Sequence, residues 1–186
     1  MIICVVAMMG GGKGLVAKEL AKALGFPVFE VSDIVREVTN SKDRKTLQLE
    51  TENQEDPMWL YKKIKAKIDG NCVISGIRES FLIEELQKDF GKENITVTKI
   101  EICDKSRRER LMGRDNKSLE EILSDEKRDE KLGIVETLTL AEYFVDTNGS
   151  MEESTEQTKS LALLIKRDKN ESIKRGNVTA GKGGHS

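Results

Sequence analysis

The chain is poor in aromatic residues, shows no dominant sign of charge and lacks long apolar runs, and each shortage removes a class of function. Aromatic side chains make up 4% of the 186 residues, too few to supply the successive stacking platforms that hold single-stranded nucleic acid. Lysine and arginine number 31 against 33 aspartates and glutamates, a formal net charge of -2, so no overall basic field draws in a polyanion. The longest apolar run, Ile2 to Met9, falls far short of the roughly 20 residues of a membrane span. No cleavable leader is read ahead of it. Cys4, Cys72 and Cys103 stand far apart, each in an apolar strand-like run, and are expected as buried, reduced core thiols rather than metal ligands. The expectation is a cytoplasmic protein whose partner is a small molecule, of one domain's length and with a core that needs no staples.

Short apolar segments alternate with longer helical patterns and no repeat is present, which predicts a parallel sheet with right-handed helical crossovers. The strands are read at Ile2 to Val6, Val28 to Val31, Cys72 to Ser75, Thr96 to Ile102 and Tyr143 to Asp146. Ligands gather at the C-terminal ends of such strands. A helix from Gly14 to Leu24 is stopped by Gly25 and Pro27. Ser32 or Asp33 can cap the next one. Residues 39–68 begin with a polar stretch, basic at Lys42, Arg44 and Lys45 and acidic at Glu50, Glu52, Glu55 and Asp56, and return to an amphipathic pattern with Leu60, Ile64 and Ile68 on one side. Trp59 is read as a packing anchor. Beyond Ile165 the basic residues Lys166, Arg167, Lys169, Lys174, Arg175 and Lys182 outnumber Asp168 and Glu171, and 166–186 is expected as a basic, disordered tail.

Ala7-Met8-Met9-Gly10-Gly11-Gly12-Lys13-Gly14 sits between the first strand and its helix, where a phosphate-cradling loop must lie. Glycines allow backbone N–H groups to turn inward on a triphosphate, the helix adds its positive end, and Lys13 supplies a point charge to the outer phosphates. The spacing fits a small residue, four of any kind, Gly and Lys. Its last position, normally a Ser or Thr whose hydroxyl ligates magnesium, holds Gly14, followed by Leu15. Met9, Gly10, Gly11, Gly12, Lys13, Gly14 and Leu15 are therefore the candidate ATP-binding residues.

This loop resembles that of adenylate kinases and related nucleoside monophosphate kinases, which also carry Gly after the Lys and hold magnesium largely through water. Val31-Ser32-Asp33-Ile34-Val35-Arg36 resembles their acceptor-binding segment, and Ser75-Gly76-Ile77-Arg78 resembles the later one whose arginine also binds the acceptor phosphate. Asp33, Arg36 and Arg78 are the acceptor-binding candidates; two guanidiniums on one monophosphate fix it by bidentate contacts. Arg110-Leu111-Met112-Gly113-Arg114 is similar to the segment that opens the lid in these enzymes, and Asp125 to Asp129 to its far arm. That assigns 105–131 as a lid, with Arg110, Arg114 and Arg128 stabilising the transferring phosphoryl group beside Lys13, and Arg107 and Arg108 as bystanders.

Ala141 to Glu153, with Asn148 and Gly149 at the adenine-facing turn, resembles dephospho-coenzyme A kinases and archaeal adenylate-kinase-related proteins. Arg128 to Ile134 is similar to the archaeal group. The resemblance implies a P-loop kinase domain over 1–165, with a five-stranded doubly wound parallel sheet, helices on both faces, an acceptor-binding excursion at 39–68 and a short lid. It implies ATP as co-substrate, magnesium held mainly by phosphates and water with no protein metal ligand, and a nucleoside or deoxynucleoside monophosphate as acceptor. Ser75 replaces the Asp that usually organises the magnesium's water. Dephospho-coenzyme A, a nucleotide or modified base in nucleic acid, and binding without catalysis stay open as alternatives.

Overall fold

The computed structural model describes residues 1–39 and 55–180. Five strands form one parallel sheet: β1 Ile2–Val6, β2 Val28–Glu30, β3 Cys72–Ser75, β4 Ile95–Glu101 and β5 Tyr143–Asp146, in the order β2-β3-β1-β4-β5. The first of the intervening helices are α1 Lys13–Leu24, α2 Val31–Thr39, α3 Trp59–Lys67 and α4 Ser80–Phe90. They are followed by α5 Asp104–Asp115, α6 Leu119–Lys131, α7 Ile134–Thr139 and α8 Met151–Ala180.

Strand periodicity sorts the core into two layers. Ile2, Cys4, Val6, Cys72, Ile74, Ile95 and Val97 pack against α2, α3 and α4, while Ile3, Val5, Val73, Ile100 and Val145 pack against α1 and α8. Burial on both faces explains why β1 and β3 read as unbroken apolar runs rather than alternating ones. Gly25, in the left-handed region at φ 73°, ends α1 by donating its N–H to the carbonyl of Ala21. Leu60 and Ile64 are buried, and Trp59 and Ile68 pack against the same layer, so Trp59 is a packing residue.

Four readings are corrected. β4 starts and stops one residue before the segment read from its apolar pattern, and β2 ends at Glu30 because α2 begins at Val31. Ser32 and Asp33 thus lie inside the first turn of α2 rather than ahead of it. Cys103 is exposed just before α5, with its Sγ 3.1 Å from Ser106 Oγ, and hydrogen bonds from Ser106, its hydroxyl first and then its backbone N–H, hold the thiol below the ordinary pKa. Cys4 and Cys72 are buried as expected; desolvation raises both, Cys72 to about 11. Over 166–180 the basic stretch lies in α8, which continues to Ala180. Its first turns dock: Lys166 Nζ donates to Ala23 O at 3.2 Å, and Asp168 accepts from Tyr143 Oη at 2.8 Å. Within the acceptor excursion, Lys42, Arg44, Lys45, Glu50 and Glu52 lie outside the described residues, as do residues 181–186.

Candidate active site

The loop between β1 and α1 is fixed from three sides. Gly10 has φ 78°, and a Cβ there would stand 2.8 Å from both Arg107 O and Leu111 Cγ, so any larger residue meets backbone as well as the left-handed penalty. Met9 packs with Leu111 of α5 and Ile122 of α6. Its carbonyl accepts from Arg107 Nη1 at 3.2 Å. On the β5 side, buried Thr147 donates its hydroxyl to Gly11 O at 3.0 Å.

Gly12 precedes the helix in the left-handed region, and the backbone N–H groups of Leu15 and Val16 return to its carbonyl at 3.0 and 3.3 Å. Lys13, the first residue of α1, runs over the end of β3: its Cε lies 3.5 Å from where a Cβ on Gly76 would be. Gly14 has open space except on one side, where Glu30 Oε1 would stand 3.2 Å from an added Cβ.

The two bystander arginines have structural roles. Arg107 is 2% exposed; besides Met9 O it contacts Asp104 at 2.9 Å and Glu126 at 2.8 Å. Arg108 holds Glu126 bidentately, Nε at 3.0 and Nη2 at 2.8 Å. Together they bolt α5 to α6, and Arg107 extends the joint to the phosphate loop. These bonds, Arg108's foremost, hold the Glu126 carboxyl below its usual range despite its burial. Arg107 stands one turn before Leu111, on the face that carries the helix's apolar contact.

The remaining arginines separate. Arg110 Nη2 donates to Thr147 O at 2.6 Å, joining the turn that also touches Gly11. Arg114 is paired with its neighbour Asp115 at 2.6 Å and is 70% exposed. Arg128 binds Asp125 at 2.7 Å and lies 3.8 Å from Asp129 Oδ1. The same Asp129 oxygen is 3.3 Å from Arg78 Nε, so one buried carboxylate, 2% exposed at its side chain, gathers the arginine after β3 and the arginine of α6. The Arg78 carbonyl is further held by Thr137 Oγ1 at 2.6 Å. Arg36 sits on α2 in an exposed pair with Asp33, 2.6 Å apart.

Asn148 and Gly149 form the turn after β5. Asn148 Oδ1 accepts from the Cys103 N–H at 2.8 Å, and its own N–H and Nδ2 donate to Asp146 at 2.8 and 2.7 Å. Gly149 then leads into α8, whose start is closed by reciprocal bonds between Ser150 and Glu153.

For a divalent cation the donors near the loop are hard oxygens, as magnesium requires. Ser75 Oγ at the end of β3 is fully buried and has no hydrogen-bond partner, and Glu30 is its register neighbour on β2. Among the described residues no cluster of three or more His, Cys, Asp or Glu side chains is placed to hold a metal. No helix among the described residues is long and apolar enough to cross a membrane.

A profile of the AAA domain family matches residues 3–133. A UPF0200 protein of Pyrococcus furiosus is 30% identical over 78% of this chain and 87% of its own length, and one of Pyrococcus abyssi 31% identical over 82% and 90%. Among solved structures, a gluconokinase from Sinorhizobium meliloti superposes with a TM-score of 0.62 at 18% identity, covering 91% of this chain and 96% of its own. A shikimate kinase from Acinetobacter baumannii in complex with shikimate gives 0.62 at 15%, covering 90% and 93%. The fold is that of a P-loop kinase, with a five-stranded all-parallel sheet. The chain belongs to the AAA domain family and to the UPF0200 proteins represented by these Pyrococcus relatives.

Proposed function

We propose that this protein is a nucleotide kinase that transfers the terminal phosphoryl group of ATP to a nucleoside or deoxynucleoside monophosphate. The observation that carries this reading is the meeting of donor and acceptor elements at the end of β3. Lys13 of the phosphate loop crosses Gly76, and two residues later Arg78 is drawn toward Arg128 by Asp129. Lys13, for the donor's outer phosphates, and Arg78, for an acceptor anion, thereby meet at the segment after β3, and positioning and charge are what phosphoryl transfer demands of a protein.

Within this reading Met9 to Leu15 cradle the triphosphate, and the turn at Asn148 and Gly149 faces the base. Arg36 and Arg78 receive the acceptor phosphate, and Arg110, Arg114 and Arg128 offset charge on the group in transit. Magnesium accompanies ATP and neutralises charge between its phosphates when bound. A monophosphate acceptor is favoured over a hydroxyl one because Arg36 and Arg78 offer guanidiniums to its phosphate, and an acceptor phosphate oxygen needs no strong base.

The test is ATP consumption measured against every ribo- and deoxyribonucleoside monophosphate, with dephospho-coenzyme A and DNA in the same panel. Turnover with one or a few monophosphates is expected. Turnover only with dephospho-coenzyme A or DNA would replace the acceptor, and nucleotide binding without turnover on any member would replace the enzyme by a nucleotide-binding protein.

A further inference from the structure

Resting on the phosphate-loop reading, we propose that Glu30 supplies the cation-facing oxygen that the loop lacks at Gly14, making nucleotide binding depend on a divalent cation. Position 14 is where this type of loop ordinarily offers a hydroxyl to the metal. Here it has no side chain, and among the described residues beyond its own helix turn the heavy atom within 4 Å of the missing Cβ is Glu30 Oε1, at 3.2 Å. A carboxylate oxygen from β2 thus occupies the volume that a serine hydroxyl would reach from α1.

The placement is built into the sheet. Glu30 pairs in register with Ser75 on the adjacent parallel strand, and Val28 with Val73, so Glu30 and Ser75 share the face of Val73, which packs under α1. On that face Ser75 Oγ is fully buried without a hydrogen-bond partner, an orphan polar atom beside the candidate ligand. The second carboxylate oxygen, Oε2, accepts from Ser32 Oγ at 3.4 Å, which orients the group from the first turn of α2.

The consequence follows from charge. A carboxylate at the mouth of a triphosphate site repels the phosphates unless a cation lies between them, whereas a neutral hydroxyl does not. Metal and nucleotide must therefore raise each other's affinity, reciprocally and more strongly than in a loop with a hydroxyl. Oxygen donors of this kind suit magnesium, manganese or calcium and not soft metals.

The experiment measures ADP binding by calorimetry with and without magnesium, and manganese binding to the ADP complex by electron paramagnetic resonance, in the full chain. Glu30→Gln keeps the shape of the side chain and should lower manganese affinity of the ADP complex by about tenfold or more. Metal-free ADP binding should stay equal or tighten. In a Glu30→Ala background, Gly14→Ser should recover much of the lost manganese affinity, since the site is open once the carboxylate is gone. Unchanged manganese affinity in Glu30→Gln overturns the proposal, as does an equal loss of ADP affinity with and without metal. Wild-type protein that binds no ADP under either condition defeats the phosphate-loop reading itself, a result distinct from both.

Discussion

On the side proposed for the donor, Met9 and Gly11 are each held by a buried partner, Arg107 and Thr147, and Gly10 sits where only a glycine clears the α5 backbone. On the side proposed for the acceptor and the phosphoryl group in transit, Arg36 and Arg114 sit in solvent-exposed pairs with carboxylates of their own helices. Exposed ion pairs contribute about 0–1 kcal/mol, so these arginines can exchange a carboxylate for a substrate phosphate at little cost. A buried guanidinium cannot, because its desolvation is offset only by its fixed partners. The loop is therefore preformed, and Arg36 and Arg114, proposed to meet substrate phosphates, are parked charges. Arg78 and Arg128 lie between these extremes, both drawn to Asp129.

The largest expected effect attacks the joint behind the loop. Glu126→Ala strips the main carboxylate from Arg107, whose side chain is 3% exposed, and should lower stability by about 3 kcal/mol. That is the low end for a broken buried pair, because Asp104 remains. The matched change on the other side, Asp115→Ala, should move the denaturant midpoint little, since Arg114 is largely in water. Equal losses would erase the contrast. Glu126 also gives the pH sign: its folded pKa is lowered, so its contribution is complete above the ordinary value of about 4.3 and is lost as pH falls through the lowered one. Wild-type protein should lose more stability across that acid window than Glu126→Ala.

Next in size is Lys13→Ala, which should reduce turnover about a hundredfold or more while the unfolding transition stays in place. Lys13 is only partly buried and outside the core clusters, so little packing is lost. Activity near wild type would remove the loop from the mechanism. A smaller, more selective effect is expected of Arg36→Lys and Arg78→Lys. Each should weaken acceptor binding by roughly tenfold and leave ATP binding nearly unchanged, because an ammonium keeps the charge and loses the bidentate fork. Loss of ATP affinity with acceptor affinity retained would show that donor and acceptor sides are reversed.

The sheet was legible in the sequence because β1, β3 and β5 are bounded runs with a loop or turn at their ends. The glycine-rich stretch after β1 named its own chemistry. What stayed hidden depended on partners distant in the chain. Arg107 looked like one charge in an exposed run, and only the approach of Glu126 from α6 and Met9 from the loop makes it a buried strut. Glu30 gave no motif, since its meaning lies in the empty side of Gly14. The basic composition after Ile165 concealed a helix because docking through Lys166 and Asp168 is a tertiary matter that local charge cannot report. Cys103 stood in an apolar context but just past the strand's last pairing residue, Glu101, and so falls at the surface.

The smallest expected effect tests what the acceptor is. Asp33 stands one helical turn before Arg36 on the helix proposed to hold the acceptor, and in this structure it is spent on Arg36 at 2.6 Å with both side chains about half exposed or more. If the acceptor is a monophosphate, its attacking oxygen is already anionic, and Asp33→Asn should lower turnover by less than about tenfold, chiefly by letting Arg36 wander. If the acceptor is a hydroxyl, Asp33 must take a proton, and the loss should reach the roughly 100- to 10,000-fold range of general-base removal. The pH–rate profile separates the two cases independently. A base imposes an acid limb that Asp33→Asn abolishes, whereas an orienting partner leaves the limb where it was. A severe loss together with the disappearance of that limb would move the acceptor from a monophosphate to a hydroxyl and recast Arg36 as the residue that sets the base's pKa.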